Sequence, residues 1–260
     1  MNLKAFFSGG VHRTFNAFGY DIQVVPARPT NKEIDSCYPV ASAQQALHRL
    51  RKHEIGFNSL IDVGASDGRW SKMFAAQFPG KRHLLLDANR THLEALEYSC
   101  KKNPDWEFRL CAVGQEKGTL YFDDSDPLGG HLAKSPINEH YKPCSVETID
   151  DLVLETGLPG PYFVKLDTHG VELPILEGAK QTLGNTNVLV IEAYNFTFGE
   201  PAVPFWDLCH YMFQLGFRPL DVFDILYREV DNAFWQFDLL FARSSLPLFK
   251  DPRYFIAGRR

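Results

Sequence analysis

Asp62, Gly64, Ala65, Ser66, Asp67 and Gly68 form a compact run, D-x-G-x-x-x-G, directly after an apolar stretch. A glycine-rich turn at the carboxyl end of a strand lets a ligand approach the backbone without meeting a Cβ. The dinucleotide fingerprint asks for G-x-G-x-x-G to seat a pyrophosphate, and here Ser66 stands where the second glycine would be. Asp87 closes the next apolar run, roughly 20 residues on, where this fold class places an acid for the ribose hydroxyls of an adenosine. A missing pyrophosphate glycine beside a retained ribose acid points to an adenosine cofactor without a diphosphate, of which S-adenosylmethionine is the commonest. Both signals also have a plain reading: a strand-to-helix turn with positive φ at Gly64, and Asp87 as cap of a helix beginning near Arg90.

A second group lies at Lys165, Asp167, His169 and Glu172. Lys165 and Asp167 are two apart on a predicted strand and share a face that helices should cover. A charge there must be paired or functional, so a salt bridge and a catalytic role weigh about equally. His169 precedes Gly170 in a turn; its unperturbed pKa of about 6.5 suits a general base near neutral pH, whereas a solvated turn histidine is the ordinary alternative. Glu172 falls in a helix first turn, where the dipole alone favours an acid. Glu192 ends another apolar run beside Tyr194 and Phe196, an acid for substrate hydroxyls with aromatics to stack on a sugar or apolar ring. His131 and His140 are too far apart to claim as a metal pair, and no metal site is expected.

The elements that must position these residues are legible as short apolar runs alternating with amphipathic stretches, the pattern of a parallel sheet with crossover helices. Strands are predicted at 59–63, 83–87, 108–113, 162–167 and 188–193, and helices at 41–54, 70–78, 91–100, 149–154, 173–183 and 206–215. Residues 218–227 and 233–242 read as a hairpin closing the sheet. The segment 123–142 reads as a lid loop, and 196–205, with Gly199, Pro201 and Pro204, as a pocket wall.

Of the 260 residues, 45% are hydrophobic and 23% charged, a globular composition long enough for one large α/β domain. The 27 Lys plus Arg against 32 Asp plus Glu leave a net charge of −5, which argues against a polyanion such as nucleic acid as partner. Five cysteines, Cys37, Cys100, Cys111, Cys144 and Cys209, form no CxxC pair, and their odd number suits reduced thiols in a cytoplasmic protein. The N-terminus is too interrupted for a signal peptide or a membrane span.

The runs 61–68, 84–89 and 111–118, and above all Lys165, Leu166, Asp167, Thr168, His169, Gly170, Val171 and Glu172 followed by Leu176, Glu177, Gly178 and Ala179, resemble the FkbM family of S-adenosylmethionine-dependent methyltransferases. The family typically reads K-I-D-V-E-G-x-E at this last block, with a helix carrying L-x-G-A. Val190, Ile191, Glu192 and the late Phe237 to Phe241 are similar as well, so the likeness spans about 57–243. It implies an α/β class I methyltransferase, a Rossmann-like three-layer sandwich on a seven-stranded, mostly parallel sheet whose last strand is antiparallel. The domain would occupy 41–245, with an N-terminal arm or lid at 1–40 and a C-terminal tail at 246–260. It also implies methyl transfer to an oxygen, often a hydroxyl of a sugar or polyketide. Carried over by position, Asp62, Gly64, Ala65, Ser66, Asp67 and Gly68 would cradle the amino-acid and sulfur end of the cofactor. Asp87, with Ala88 and Asn89, would hold the ribose, and Ala112 and Val113 would lie near the adenine. His169 stands where the family has Glu, so the expected base is His169, assisted by Asp167 or Glu172. The expected partner is a small hydroxylated acceptor; a homo-oligomer stays open. Two competing readings are an NAD(P)-dependent oxidoreductase, which the absent third phosphate-loop glycine disfavours, and a catalytically idle S-adenosylmethionine-binding module.

Overall fold

In a computed structural model the chain is described at residues 42–126, 130–197, 199 and 201–253. The arm at 1–40 with Cys37, the loop glycine Gly129 and the last residues of the tail lie outside them. The elements run in chain order α1 (Ala43–Arg51), β1 (Ser59–Val63), α2 (Arg69–Gln77), β2 (Arg82–Asp87), α3 (Leu93–Lys102), β3 (Trp106–Leu110), β4 (Ala112–Val113), β5 (Gly118–Asp123), β6 (Leu132–Ala133), β7 (Tyr141–Glu147), α4 (Ile149–Thr156), β8 (Tyr162–Leu166), α5 (Glu172–Glu177), α6 (Lys180–Gly184), β9 (Thr186–Tyr194), α7 (Phe205–Gln214), β10 (Phe217–Tyr227) and β11 (Phe234–Arg243). Short 3₁₀ turns stand at Arg90–His92 and Pro247–Lys250.

The main sheet has seven strands in the order β10-β11-β9-β8-β1-β2-β3. All neighbours pair in parallel except at β11, which runs against both β9 and β10. The period-2 alternation of side chains divides the core between two faces. Ile61, Val164, Leu189 and Ile191 pack under α4, α5, α6 and α7, while Leu60, Phe163, Val188 and Val190 pack under α1 and α2. Leu85 and Trp106 meet α3 on that second side through Leu96. With helices on both faces the central strands are covered on both sides, and all five residues of β1 are buried, Ser59 and Asp62 included. This is the three-layer sandwich and the antiparallel last strand that the sequence led us to expect.

Local chemistry explains where the elements start. Ser42 caps α1 by accepting from the Gln45 N–H, and Thr148 caps α4 by accepting from the Asp151 N–H while its hydroxyl donates back to the Asp151 carboxylate. Gly157 ends α4 in the left-handed conformation.

Three expectations change. The strand read at 108–113 is two strands, because at Cys111 the chain leaves the main sheet; its N–H binds Asp87 O (2.9 Å), and Ala112–Val113 joins a second, four-stranded sheet ordered β4-β7-β5-β6. The helix read at 173–183 breaks into α5 and α6 around Gly178, where a Cβ would lie 2.1 Å from Gly114 O. The loop of 123–142 is interrupted by the second sheet, which takes Asp123 at its start, Leu132–Ala133 as β6 and Tyr141 and Lys142 as the start of β7.

Candidate active site

The order of the main sheet reverses between β1 and β8, and a crevice at the carboxyl ends of strands at such a switch point is the usual ligand site of open α/β sheets. A cavity of ≈ 480 Å³ opens there. Its floor comes from Val63 and Gly64 after β1, Leu86 to Asn89 after β2, Cys111 to Val113, and Asp167 to Val171 after β8, with Glu192 from β9. Phe122 and Leu132 from the second sheet, with Gly130 and His131 just before β6, form one wall, and Gly199, Pro201 and Ala202 contribute to another.

At the β2 end, Asp87 is braced by the backbone: Ser66 N–H donates to Oδ2 and Asn89 N–H to Oδ1, both at 2.7 Å. Burial pushes its carboxyl above the usual carboxylate range against those two donors. Each oxygen keeps acceptor capacity, and flat apolar positions at Ala112 and Val113 lie in the same cavity. This donor set fits an adenosine, an acid for vicinal hydroxyls beside an apolar slot for a base. His92, which the sequence reading passed over as part of a helix start, also lines this end, its Nε2 3.3 Å from Ser66 Oγ.

At the β8 end lies a buried ion network. Lys165 and Asp62 are register partners on adjacent strands, and Lys165 Nζ sits 3.4 Å from Asp62 Oδ1, 3.1 Å from Asp167 Oδ2 and 3.4 Å from Gly64 O. Burial opposes the lysine's charge, but the two carboxylates outweigh it and hold the ammonium above its ordinary pKa. Lys165 in turn holds Asp167 below the usual carboxylate range, although burial pulls the other way. His169 follows in the left-handed region at φ +56° and lines the cavity half-exposed. Its Nδ1 is 3.1 Å from Glu192 Oε2 and 3.0 Å from the Tyr194 hydroxyl. The Tyr194 hydroxyl donates to the same Glu192 oxygen, and Gln236 Nε2 donates to the other. Ligand-type atoms of Asp167, His169 and Glu192 lie within 4.8 Å of one another, the one group of that kind found among the described residues.

Of the residues expected to hold the cofactor or carry the chemistry, Gly64, Ser66, Asp87, Ala88, Asn89, Ala112, Val113, Asp167 and His169 converge on the cavity, joined by Glu192 and His131. Five do not line it. Asp62 is fully buried and spent on Lys165 and on the Ser71 hydroxyl (2.6 Å). Ala65 packs into the core with Leu85 and Leu96. Asp67 turns outward to Arg69 (2.8 Å), and Gly68 supplies the left-handed start of α2. Glu172 braces the loop, its Oε1 accepting from Gly170 N–H (2.9 Å) and Thr168 Oγ1 (3.2 Å); it shapes the turn that carries His169 and does not reach the cavity.

The Methyltransferase FkbM domain family matches residues 62–219, more than half of the chain and the whole span from the first turn to β10. The chain belongs to this family. Membership in a methyltransferase family sets aside the oxidoreductase reading. The curated relatives include the aspartate–tRNA(Asp/Asn) ligase of Helicobacter pylori strain P12, 23% identical over 159 residues, 55% of this chain and 26% of the ligase. The chain thus spans about a quarter of the length of the curated relatives it matches. Similar solved structures include the N-terminal domain of EvdMO1 in the presence of SAH and D-fucose, at 11% identity, TM-score 0.43, covering 77% of this chain and 82% of that one. Another is the precorrin-6y C5,15-methyltransferase of Geobacter metallireducens GS-15, at 13% identity, TM-score 0.42, covering 80% and 92%. At such scores the likeness is loose, and the strand order described above stands on its own for this FkbM methyltransferase. No helix among the described residues is long and apolar enough to cross a membrane.

Proposed function

We propose that this FkbM methyltransferase acts on oxygen, moving a methyl group to a hydroxyl of a small acceptor such as a sugar or a polyketide-like natural product. The observation that carries the reading is a single cavity with an adenosine-type acid, Asp87, at one end and an imidazole, His169, set among carboxylates at the other. S-adenosylmethionine supplies an electrophilic methyl on a sulfonium, with a neutral thioether as leaving group. Asp87 would hold the ribose hydroxyls, Ala88 and Asn89 would flank it, and Ala112 and Val113 would face the adenine. Gly64 and Ser66 would let the backbone approach the sulfur end.

Methylating a hydroxyl requires loss of its proton as the new C–O bond forms, and a base near the cavity's acidic end is the economical way to take it. His169 would accept that proton. Asp167, kept ionised by Lys165, and Glu192 would favour both the imidazolium that results and the cationic donor. The acidic lining and the overall charge of −5 suit a small hydroxylated acceptor better than a nucleic acid. The test is transfer from isotopically labelled S-adenosylmethionine to a panel of glycans and hydroxylated natural products, read by mass. A labelled O-methyl product supports the reading, whereas label found on nitrogen or carbon acceptors alone overturns it.

A further inference from the structure

We propose that the second sheet is part of the cofactor site and that Phe122, on β5, is its adenine-binding residue: the ring covers the base at the apolar end of the cavity, and Gly130 leaves the ring its place. The inference rests on the placement of the ribose at Asp87 given above and is independent of the methyl acceptor.

The second sheet presents one apolar face toward the main domain. Leu120 and Phe122 are two apart on β5 and point the same way; across from them stand Cys144 on β7 and Leu132 on β6. Leu120, Phe122, Leu132 and Ala88, the residue after Asp87, all pack against the cluster of Ala112, Cys144 and Val146. Most of this face is used up in packing. Phe122 and Leu132 lie at its margin, only partly buried, and line the cavity together with Ala88, Ala112 and Val113.

The cavity therefore has two unlike ends. One carries Asp167, His169 and Glu192, and the other is walled by Phe122, Leu132 and the small apolar residues beside Asp87. A purine joined to a ribose on Asp87 has apolar faces, which lose solvation against charged groups and gain contact against an aromatic ring. The apolar end is the one that suits the base, and Phe122 is the aromatic ring lining it.

Gly130 fits the same arrangement. A Cβ there would lie 2.5 Å from Phe122 Cε1 and 2.8 Å from Asp123 O, while the Asp123 N–H to His131 O bond (2.9 Å) holds the two segments together. The φ of Gly130 is not positive, so it is the neighbouring ring and backbone, and not the turn conformation, that call for glycine.

The test reads the adenine directly. S-adenosylhomocysteine, ¹³C-labelled in its adenine, is bound to the full-length protein, the adenine protons are followed by NMR, and affinity is measured by calorimetry. The expected result is an adenine resonance upfield of its free position, under the ring current of Phe122, that moves back in Phe122→Leu while affinity falls about 10–100-fold. Phe122→Tyr, which keeps the ring, should hold affinity within about threefold, and Gly130→Ala, which displaces the ring, should weaken binding. Adenine resonances that do not shift, or that shift equally in Phe122→Leu, overturn the inference even if affinity falls, because a ring that only packs the second sheet gives that result. Should Phe122→Leu fail to fold, photo-crosslinking of the unmodified protein with 8-azido-S-adenosylmethionine decides: a labelled peptide containing Phe122 supports the contact, and label confined to other peptides overturns it. If Asp87→Ala binds S-adenosylhomocysteine undiminished while Phe122→Leu behaves as expected, the ribose placement fails and the adenine contact stands.

Discussion

Gly64 has no room for a side chain. Its φ is +76°, and a Cβ would lie 1.9 Å from Asp167 O, so the turn after β1 and the loop after β8 meet backbone to backbone. Gly64→Ala should push those two segments apart and cost at least tenfold in S-adenosylhomocysteine affinity, measured by calorimetry, while Gly118→Ala, with nothing within 4 Å of its Cβ and no positive φ, should leave binding unchanged. Asp87 and His169 should separate binding from chemistry. Asp87→Ala removes two charge-assisted contacts and should weaken S-adenosylhomocysteine by about 10–100-fold. His169→Ala should leave that affinity within about threefold and lower turnover by roughly 10²–10⁴. A fully active His169→Ala would remove the histidine from the mechanism. At this scale the sequence showed which acids and which imidazole could act, but an acid at a glycine turn looks the same whether it faces a ligand or a lysine. Only the adjacency of β1 and β8 reveals that Asp62 answers Lys165.

At the scale of elements, the ends of β1 and β8 are joined by Lys165, which contacts Asp62, Asp167, Gly64 O and the face of Trp70 at 5.5 Å. Removing one partner of a buried ion network leaves uncompensated charge, so Lys165→Met should destabilise by about 3–5 kcal/mol. Asp62→Leu in the same chain should return part of that loss, because the stranded carboxylate goes with it. Chemical denaturation of the single and double variants reads the coupling; strictly additive losses would mean that the pair does not interact. The strands of the main sheet were legible because burial on both faces demands apolar runs, as in Ser59–Val63. The second sheet was not. Its strand Tyr141–Glu147 reads Y-K-P-C-S-V-E, largely exposed along its first residues and carrying a proline, and its pairing with β5 is a long-range matter. The same holds for Gly178, which looks like a helix residue until Gly114 is seen beside it.

Over the whole molecule, acid stability should turn on His83. This residue sits in β2, stacked on Trp106 at 4.2 Å and edge-on to Phe74, with no hydrogen-bond partner for either ring nitrogen among the described residues. Burial pushes its pKa down to about 3. The unfolded chain takes up a proton near the ordinary histidine value of about 6.5 and the folded chain does not. The contribution to stability is thus complete above pH ~6.5, falls by about 1.4 kcal/mol per unit on acidification, and levels off near pH 3. Between pH 7.5 and 5 the unmodified protein should lose about 2 kcal/mol more than His83→Phe in denaturant unfolding; equal losses would place the acid sensitivity elsewhere. The sequence by itself determined the class of fold, the family, the glycine turn with the acid that closes the next strand, and the Lys165 to Glu172 block, because apolar periodicity and short-range motifs are properties of neighbours along the chain. Tertiary structure alone decided that Asp62 answers Lys165 while Glu172 braces the loop that carries His169, that a second sheet walls the cavity, and that Glu192 and Tyr194 lie against the His169 ring. Glu172 apart, whose partners Thr168 and Gly170 are close in sequence, those outcomes depend on strand order and register, which bring together distant groups such as His169 and Glu192 and which no local pattern encodes.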